Sequence, residues 1–217
     1  MKFTQVFTFA LLAGTLSLVS CKDGDKEQME ADQMEMEQRT ADSLKMEEDK
    51  MMERDAMAVT VGGAKMYPDM TIVENASQAD NLTTLVAAVK QAGLVETLNS
   101  EGPFTVFAPT DDAFAALPDG TVDGLLKPEM KEQLSGLLTY HVVSGNVDAA
   151  SLIKMIEENN GKATLDTVNG GKLTAEVVDG EVVLTDAKGG KATVIIADVK
   201  QSNGVVHAID AVLMPAK

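Results

Sequence analysis

The chain has 217 residues, 45% of them apolar, enough for one domain of ordinary size with additional segments or for two small ones. Its formal net charge of −16 repels phosphate backbones and anionic lipid headgroups, which excludes nucleic acid as a partner and argues against membrane docking by basic patches. Scarce aromatics and no tryptophan argue against an aromatic sugar cleft, the single cysteine rules out an intramolecular disulfide, and two histidines, His141 and His207, cannot build a zinc cluster, so no cofactor is expected.

Residues 1–20 open with Lys2 and continue as an almost unbroken apolar run without an acid, the pattern of a secretory signal peptide. The run ends in Leu18-Val19-Ser20-Cys21, which resembles the bacterial lipobox, where a cysteine after a small residue is diacylated and becomes the new N-terminus. Cys21 is therefore the expected lipid anchor, and the membrane the first expected partner. Two or three acyl chains hold firmly, since each buried methylene adds about 0.8 kcal/mol. Lys22-Asp23-Gly24-Asp25 follows with no aspartate directly after the cysteine. That places the protein in the bacterial cell envelope, on either face of the outer membrane.

From Cys21 to Met57 the composition shifts. Thirteen acids stand against six bases, proline is absent, and Glu, Met, Lys, Ala and Gln dominate. These are good helix formers with no sustained apolar face, which predicts a solvated tether, partly helical and partly disordered. Met34-Glu35-Met36 and Met51-Met52 are soft thioether donors, so copper binding by the tether is the alternative function.

From Ala58 onward helices and strands alternate. Leu82, Leu85, Val86 and Val89 mark an amphipathic helix capped by Asp80 or Asn81 and interrupted at Gly93. A short strand, Phe104 to Phe107, lies between Gly102-Pro103 and Ala108-Pro109. Thr110 is the N-cap of the next helix, with Asp111 and Asp112 complementing its dipole. A helix with Met130, Leu134, Leu137 and Leu138 leads into a strand from Tyr140 to Val143. Lys172–Val178 and Glu181–Thr185 flank the hairpin signal Asp179-Gly180. Strands at Ala192–Val199 and Val205–Met214 flank Ser202-Asn203-Gly204. Helices come early and antiparallel strands late, which gives the class α+β.

Three blocks, GPFTVFAPTDDAFAALP from Gly102, LLTYHVVSGNV from Leu137 and ATVIIADVKQSNGVVHAIDAVLMP from Ala192, resemble the fasciclin-like domain in order and spacing. The resemblance covers roughly residues 68–217, and the domain is bounded at 58–217. It implies a β-sandwich or wedge-like barrel with helices packed on it. It also implies an adhesion or interaction module that contacts an envelope or extracellular protein or a glycan. Tyr140 and His141, with Val142 and Val143, match the tyrosine-histidine pair implicated in receptor binding by animal members, and are the candidate interaction residues. A tyrosine and a histidine at a helix-to-strand junction also commonly satisfy each other or nearby backbone. His207, in an alternating strand, reads as a satisfied core or edge histidine. No nucleophile elbow or phosphate-binding glycine loop is present, so no enzymatic role is expected.

Overall fold

A computed structural model describes residues 25–216 apart from 101 and 119, so the signal segment and Cys21 lie outside the described residues. The tether contains one helix, α1 (Asp25–Met57), free of proline and glycine. Residues up to Lys50 form one unit and Met51–Lys217 a second, compact one. Within the second unit the last two turns of α1 meet the first hairpin, β1 (Val59–Val61) and β2 (Ala64–Met66). Arg54 pairs with Asp69 at 2.9 Å and lies 4.1 Å over the Tyr67 ring. Asp55 accepts from Lys65 at 2.5 Å and from the Tyr67 hydroxyl at 2.9 Å.

The chain continues through α2 (Ile72–Ala76), α3 (Thr83–Ala92), α4 (Val95–Leu98), β3 (Phe104–Pro109), α5 (Asp111–Ala115), α6 (Thr121–Leu125) and α7 (Lys131–Tyr140). Then come β4 (Val142–Ser144), α8 (Ala149–Glu158), β5 (Lys162–Asp166), β6 (Lys172–Val178), β7 (Glu181–Thr185), β8 (Lys191–Gln201) and β9 (Gly204–Ile209). Seven strands form one sheet in the order β4-β3-β9-β8-β7-β6-β5. Its two ends curl together: Val143 bridges Thr167, and the Val168 amide donates to the Val142 carbonyl at 2.8 Å. The result is a nearly closed, wedge-like barrel with helices packed on it.

Strands β3 and β9 run parallel, Phe104 opposite Gly204 through Pro109 opposite Ile209. Both are buried along almost their whole length, as expected of strands covered on both faces. Alternation divides consecutive residues between two cores. Val106, Ala108, Val142 and Val206 face Leu85, Val89, Leu134 and Leu138 of the helical layer. Phe107, Tyr140, Val143 and Ile209 face Leu152 and Ile156 of α8 and Leu173 and Leu184 of the curled sheet. Among the described residues, both cores lie wholly within residues 51–217.

The Asp179-Gly180 hairpin has both turn residues at positive φ, 55° and 91°, and the strands that flank it are those the sequence predicts. Thr110 caps α5, accepting from the Ala113 amide. Three expectations are corrected. Helix α3 has no side-chain cap from Asp80 or Asn81; its N-terminal residue Leu82 offers none. Asp111 does that work from α5, accepting from the Thr83 amide and hydroxyl at 3.2 and 2.7 Å and the Thr84 amide at 2.8 Å. Tyr140 closes α7 rather than opening a strand, because the His141 amide still bonds back to Leu138, and β4 starts at Val142. The last strand stops at Ile209, because the Leu213 and Met214 amides bond to side chains instead of a ladder.

Candidate interaction site

Tyr140 and His141 sit at the joint between α7 and β4, where the chain passes from the helical layer into the sheet. All four candidate interaction residues are interior: Tyr140 is fully buried, and His141, Val142 and Val143 are at most 5% exposed. Val142 belongs to the helix-facing core, Tyr140 and Val143 to the core inside the curl.

Every side-chain polar atom of the pair has a partner. The Tyr140 hydroxyl donates to the Lys172 carbonyl at 2.8 Å and accepts from the Ala187 amide at 3.0 Å. Burial and the Asp186 carboxylate push the Tyr140 hydroxyl above its ordinary pKa against the opposing Ala187 hydrogen bond, so it stays protonated. His141 Nδ1–H donates to the Leu137 carbonyl at 2.8 Å, and Nε2 accepts from the Leu213 amide at 3.0 Å. That pattern requires the neutral ring, and burial lowers its pKa to about 4, outweighing the Leu137 bond and the Asp186 charge.

The pair is thus a hub for surface segments. Through Tyr140 it ties the turn Thr167–Gly171, which leads into β6, to the turn Asp186–Gly190 between β7 and β8. Asp186 orders its own turn, accepting from the Lys188 and Gly190 amides at 2.8 and 2.7 Å, and holds the C-terminal segment through the Met214 amide at 2.8 Å. A Cβ on Gly171 would lie 2.7 Å from the Tyr140 ring, so only glycine lets this turn close over it. The exposed surface above the pair is formed by Asn169, Gly170 and Lys188 with the C-terminal segment. Asn169-Gly170 marks a turn in the sequence, but nothing there shows that this turn and the Lys188 turn meet, since only the tertiary fold brings them together.

His207 is interior as expected: Nε2–H donates to the Val147 carbonyl at 2.9 Å, Nδ1 accepts from the Asp198 amide, and the ring stacks on Phe107 at 5.5 Å. Burial lowers its pKa. Among the described residues, no three His, Cys, Asp or Glu side chains are placed to hold a metal ion, and no helix is long and apolar enough to cross a membrane.

Known proteins share the sequence and the fold of this domain. A Synechocystis sp. protein, sll1483, is 51% identical over 164 residues, covering 76% of this chain and 84% of its own length. The immunogenic protein MPB70 of Mycobacterium bovis is 38% identical over 145 residues, 64% of this chain and 66% of that protein. The solved FAS1 domain pair of the insect cell adhesion molecule fasciclin I superposes with a TM-score of 0.62 at 19% identity, over 72% of this chain and 57% of that one. That likeness speaks to the fold. With the fasciclin domain profile matching residues 80–215, the chain belongs to the fasciclin-domain family.

Proposed function

We propose that the protein is an envelope lipoprotein, anchored through acylated Cys21, whose single fasciclin domain serves adhesion or contact with a protein or glycan of the envelope or the cell exterior. The observation that carries this reading is the combination in one chain of a lipobox-like Leu18–Cys21, an acidic helix and a fasciclin domain. A helix of this length spans about 50 Å at 1.5 Å per residue, enough to separate a domain from a lipid surface. The solved relative described as a cell adhesion molecule supports the adhesive role. No enzymatic role is proposed.

In this reading Tyr140 and His141 position the contact surface rather than touch the partner. The turns Thr167–Gly171 and Asp186–Gly190 present it, and the pair fixes their spacing. The test uses membrane fractionation and binding together. Cys21→Ser should move the protein from the membrane to the soluble fraction and abolish labelling by a palmitate analogue. Beads coated with residues 51–217 should bind envelope vesicles, and Lys188→Glu with Ala216→Glu should reduce that binding without changing the melting temperature. Retained labelling of the Cys21 variant would sink the anchor, and unchanged bead binding by the double variant would sink the contact surface.

A further inference from the structure

At the end of the barrel where β3 and β9 begin, the α4–β3 loop, the β4–α8 loop and the β8–β9 turn enclose a groove of about 480 Å³. Its rim is formed by exposed Asn99, Pro103, Asn146 and Ser202, its floor by buried Gln201 and half-buried Asn203. None of the described residues that line it is charged, in a chain where 24% of residues are. The side chains of Asn99, Asn146 and Ser202 make no hydrogen bond among the described residues, so three neutral polar groups face the groove unused.

The walls are fastened to one another through backbone and floor. The Gly145 amide donates to the Pro103 carbonyl at 2.9 Å, and the Phe104 amide to the Asn203 carbonyl at 3.1 Å. The Ser202 amide donates to the Met70 carbonyl at 2.9 Å. Asn203 accepts from the Ile72 amide at 3.1 Å and donates to the Leu98 and Ser100 carbonyls at 2.6 and 3.3 Å. The rim groups therefore hold their spacing without a ligand, which lowers the ordering cost of binding one.

We propose that this groove binds a short neutral oligosaccharide. Its volume lies within the roughly 300–1,000 Å³ of small-molecule sites. Amides and hydroxyls both donate and accept, as sugar hydroxyls do, so each can be met in either sense. A charged ligand would leave water for a lining without a counter-charge. A peptide cannot add as a strand, because β3 and β9 already have neighbours on both sides. The Pro103 ring offers an apolar face to the C–H side of a sugar. Such contacts replace bonds to water and no aromatic ring lines the groove, so the dissociation constant is about millimolar. The inference deepens the contact reading above by naming one partner class, at a groove that Lys188 does not line.

The experiment titrates the isotope-labelled full chain with cellotriose, mannotriose and maltotriose, and separately with trigalacturonate and a neutral glycine-serine tetrapeptide, followed by NMR. At least one neutral trisaccharide should give saturable shifts centred on Asn99, Asn146 and Ser202; the acidic trisaccharide and the peptide should not. Asn99→Ala with Asn146→Ala should weaken the sugar by about tenfold or more and leave the melting temperature unchanged, since neither side chain holds the fold. Should that variant fail to fold, Ser202→Ala at the same rim serves the same test. Lys188→Glu with Ala216→Glu should leave the sugar shifts intact, so vesicle binding through that surface stands or falls separately. No saturable shift with any neutral trisaccharide would overturn the proposal. So would equal shifts with trigalacturonate or the peptide, full binding by the folded rim variant, or loss of the sugar shifts in the Lys188 variant.

Discussion

Tyr140 and His141 stand edge to face, ring centroids 6.4 Å apart and planes at 90°, and each fastens a different stretch of the C-terminal half. Tyr140 reaches the backbone at Lys172 and Ala187; His141 reaches Leu213. Adjacent residues on a strand would point to opposite faces. Here the helix ends at Tyr140, and the two rings pack against each other at the joint.

The first expectation concerns the Tyr140 hydroxyl. Tyr140→Phe keeps the ring but strands a buried carbonyl and a buried amide, and should lower stability by about 1–3 kcal/mol. Tyr140→Ala also empties a packed volume and should cost about 3–5 kcal/mol. Urea unfolding measures both. A Tyr140→Ala domain as stable as the parent would mean that the ring is not structural.

The second is a pH dependence. His141 titrates near 4 in the folded chain and near its ordinary 6.5 when unfolded. Between those values the unfolded chain binds a proton that the folded chain refuses, so stability rises with pH. The contribution is complete above pH 6.5 and is lost as pH falls towards 4, about 3 kcal/mol in all. His207, also lowered, acts in the same direction. Stability measured at half-unit steps from pH 4.5 to 7 should climb less steeply for His141→Gln than for the parent. Parallel profiles would mean that His141 does not carry the effect.

The third concerns the remote cap. Partial burial alone would raise the Asp111 carboxyl, but bonds from Thr83 and Thr84 outweigh it and hold it below the usual range. Asp111→Ala should cost about 1–2 kcal/mol, as loss of an N-cap does, although Asp111 lies 28 residues from Thr83. Amide exchange should quicken in the first turn of α3 before α5 responds. Uniform quickening would deny Asp111 this role.

The fourth concerns where the tether ends. Deleting residues 22–50 should leave the melting temperature of the domain unchanged. Deleting residues 22–57 also removes Arg54 and Asp55 and should lower it, by less as salt screens those exposed pairs. Equal melting of the two truncations at low salt would show that Arg54 and Asp55 contribute nothing.

Local chemistry made much of this fold legible. The Asp179-Gly180 turn announces itself because few residues tolerate two successive positive φ values. Leu85 and Val89 mark α3 by their spacing, and the three blocks mark the family. Relationships across sequence distance left no such trace. Nothing near Leu82 reveals that its helix is capped from Asp111, and nothing in Phe104–Pro109 reveals a parallel partner a hundred residues on. Helix α8 and β5, between Ser144 and Gly171, received no assignment, although Asp148 caps α8 and Leu152 and Ile156 form its buried stripe. At the site, residue identity drew attention to Tyr140 and His141, while their burial depends on α8 and the curl of the sheet.

The place of β9 in the sheet has a consequence for how the molecule comes into being. Strand β9, the last in chain order among the described strands, is not an edge; it is inserted between β3 and β8 and supplies partners to both. Until it leaves the ribosome, β3 lacks one of its two neighbours and the two cores lack Val206 and Ile209. Such long-range pairing is slow to form because loop closure precedes any gain from contact. The sheet therefore cannot be completed until Gly204–Ile209 has been made. A premature stop anywhere before Gly204 removes the keystone of the sheet, and every such fragment is expected to be degraded rather than to accumulate as a shortened domain.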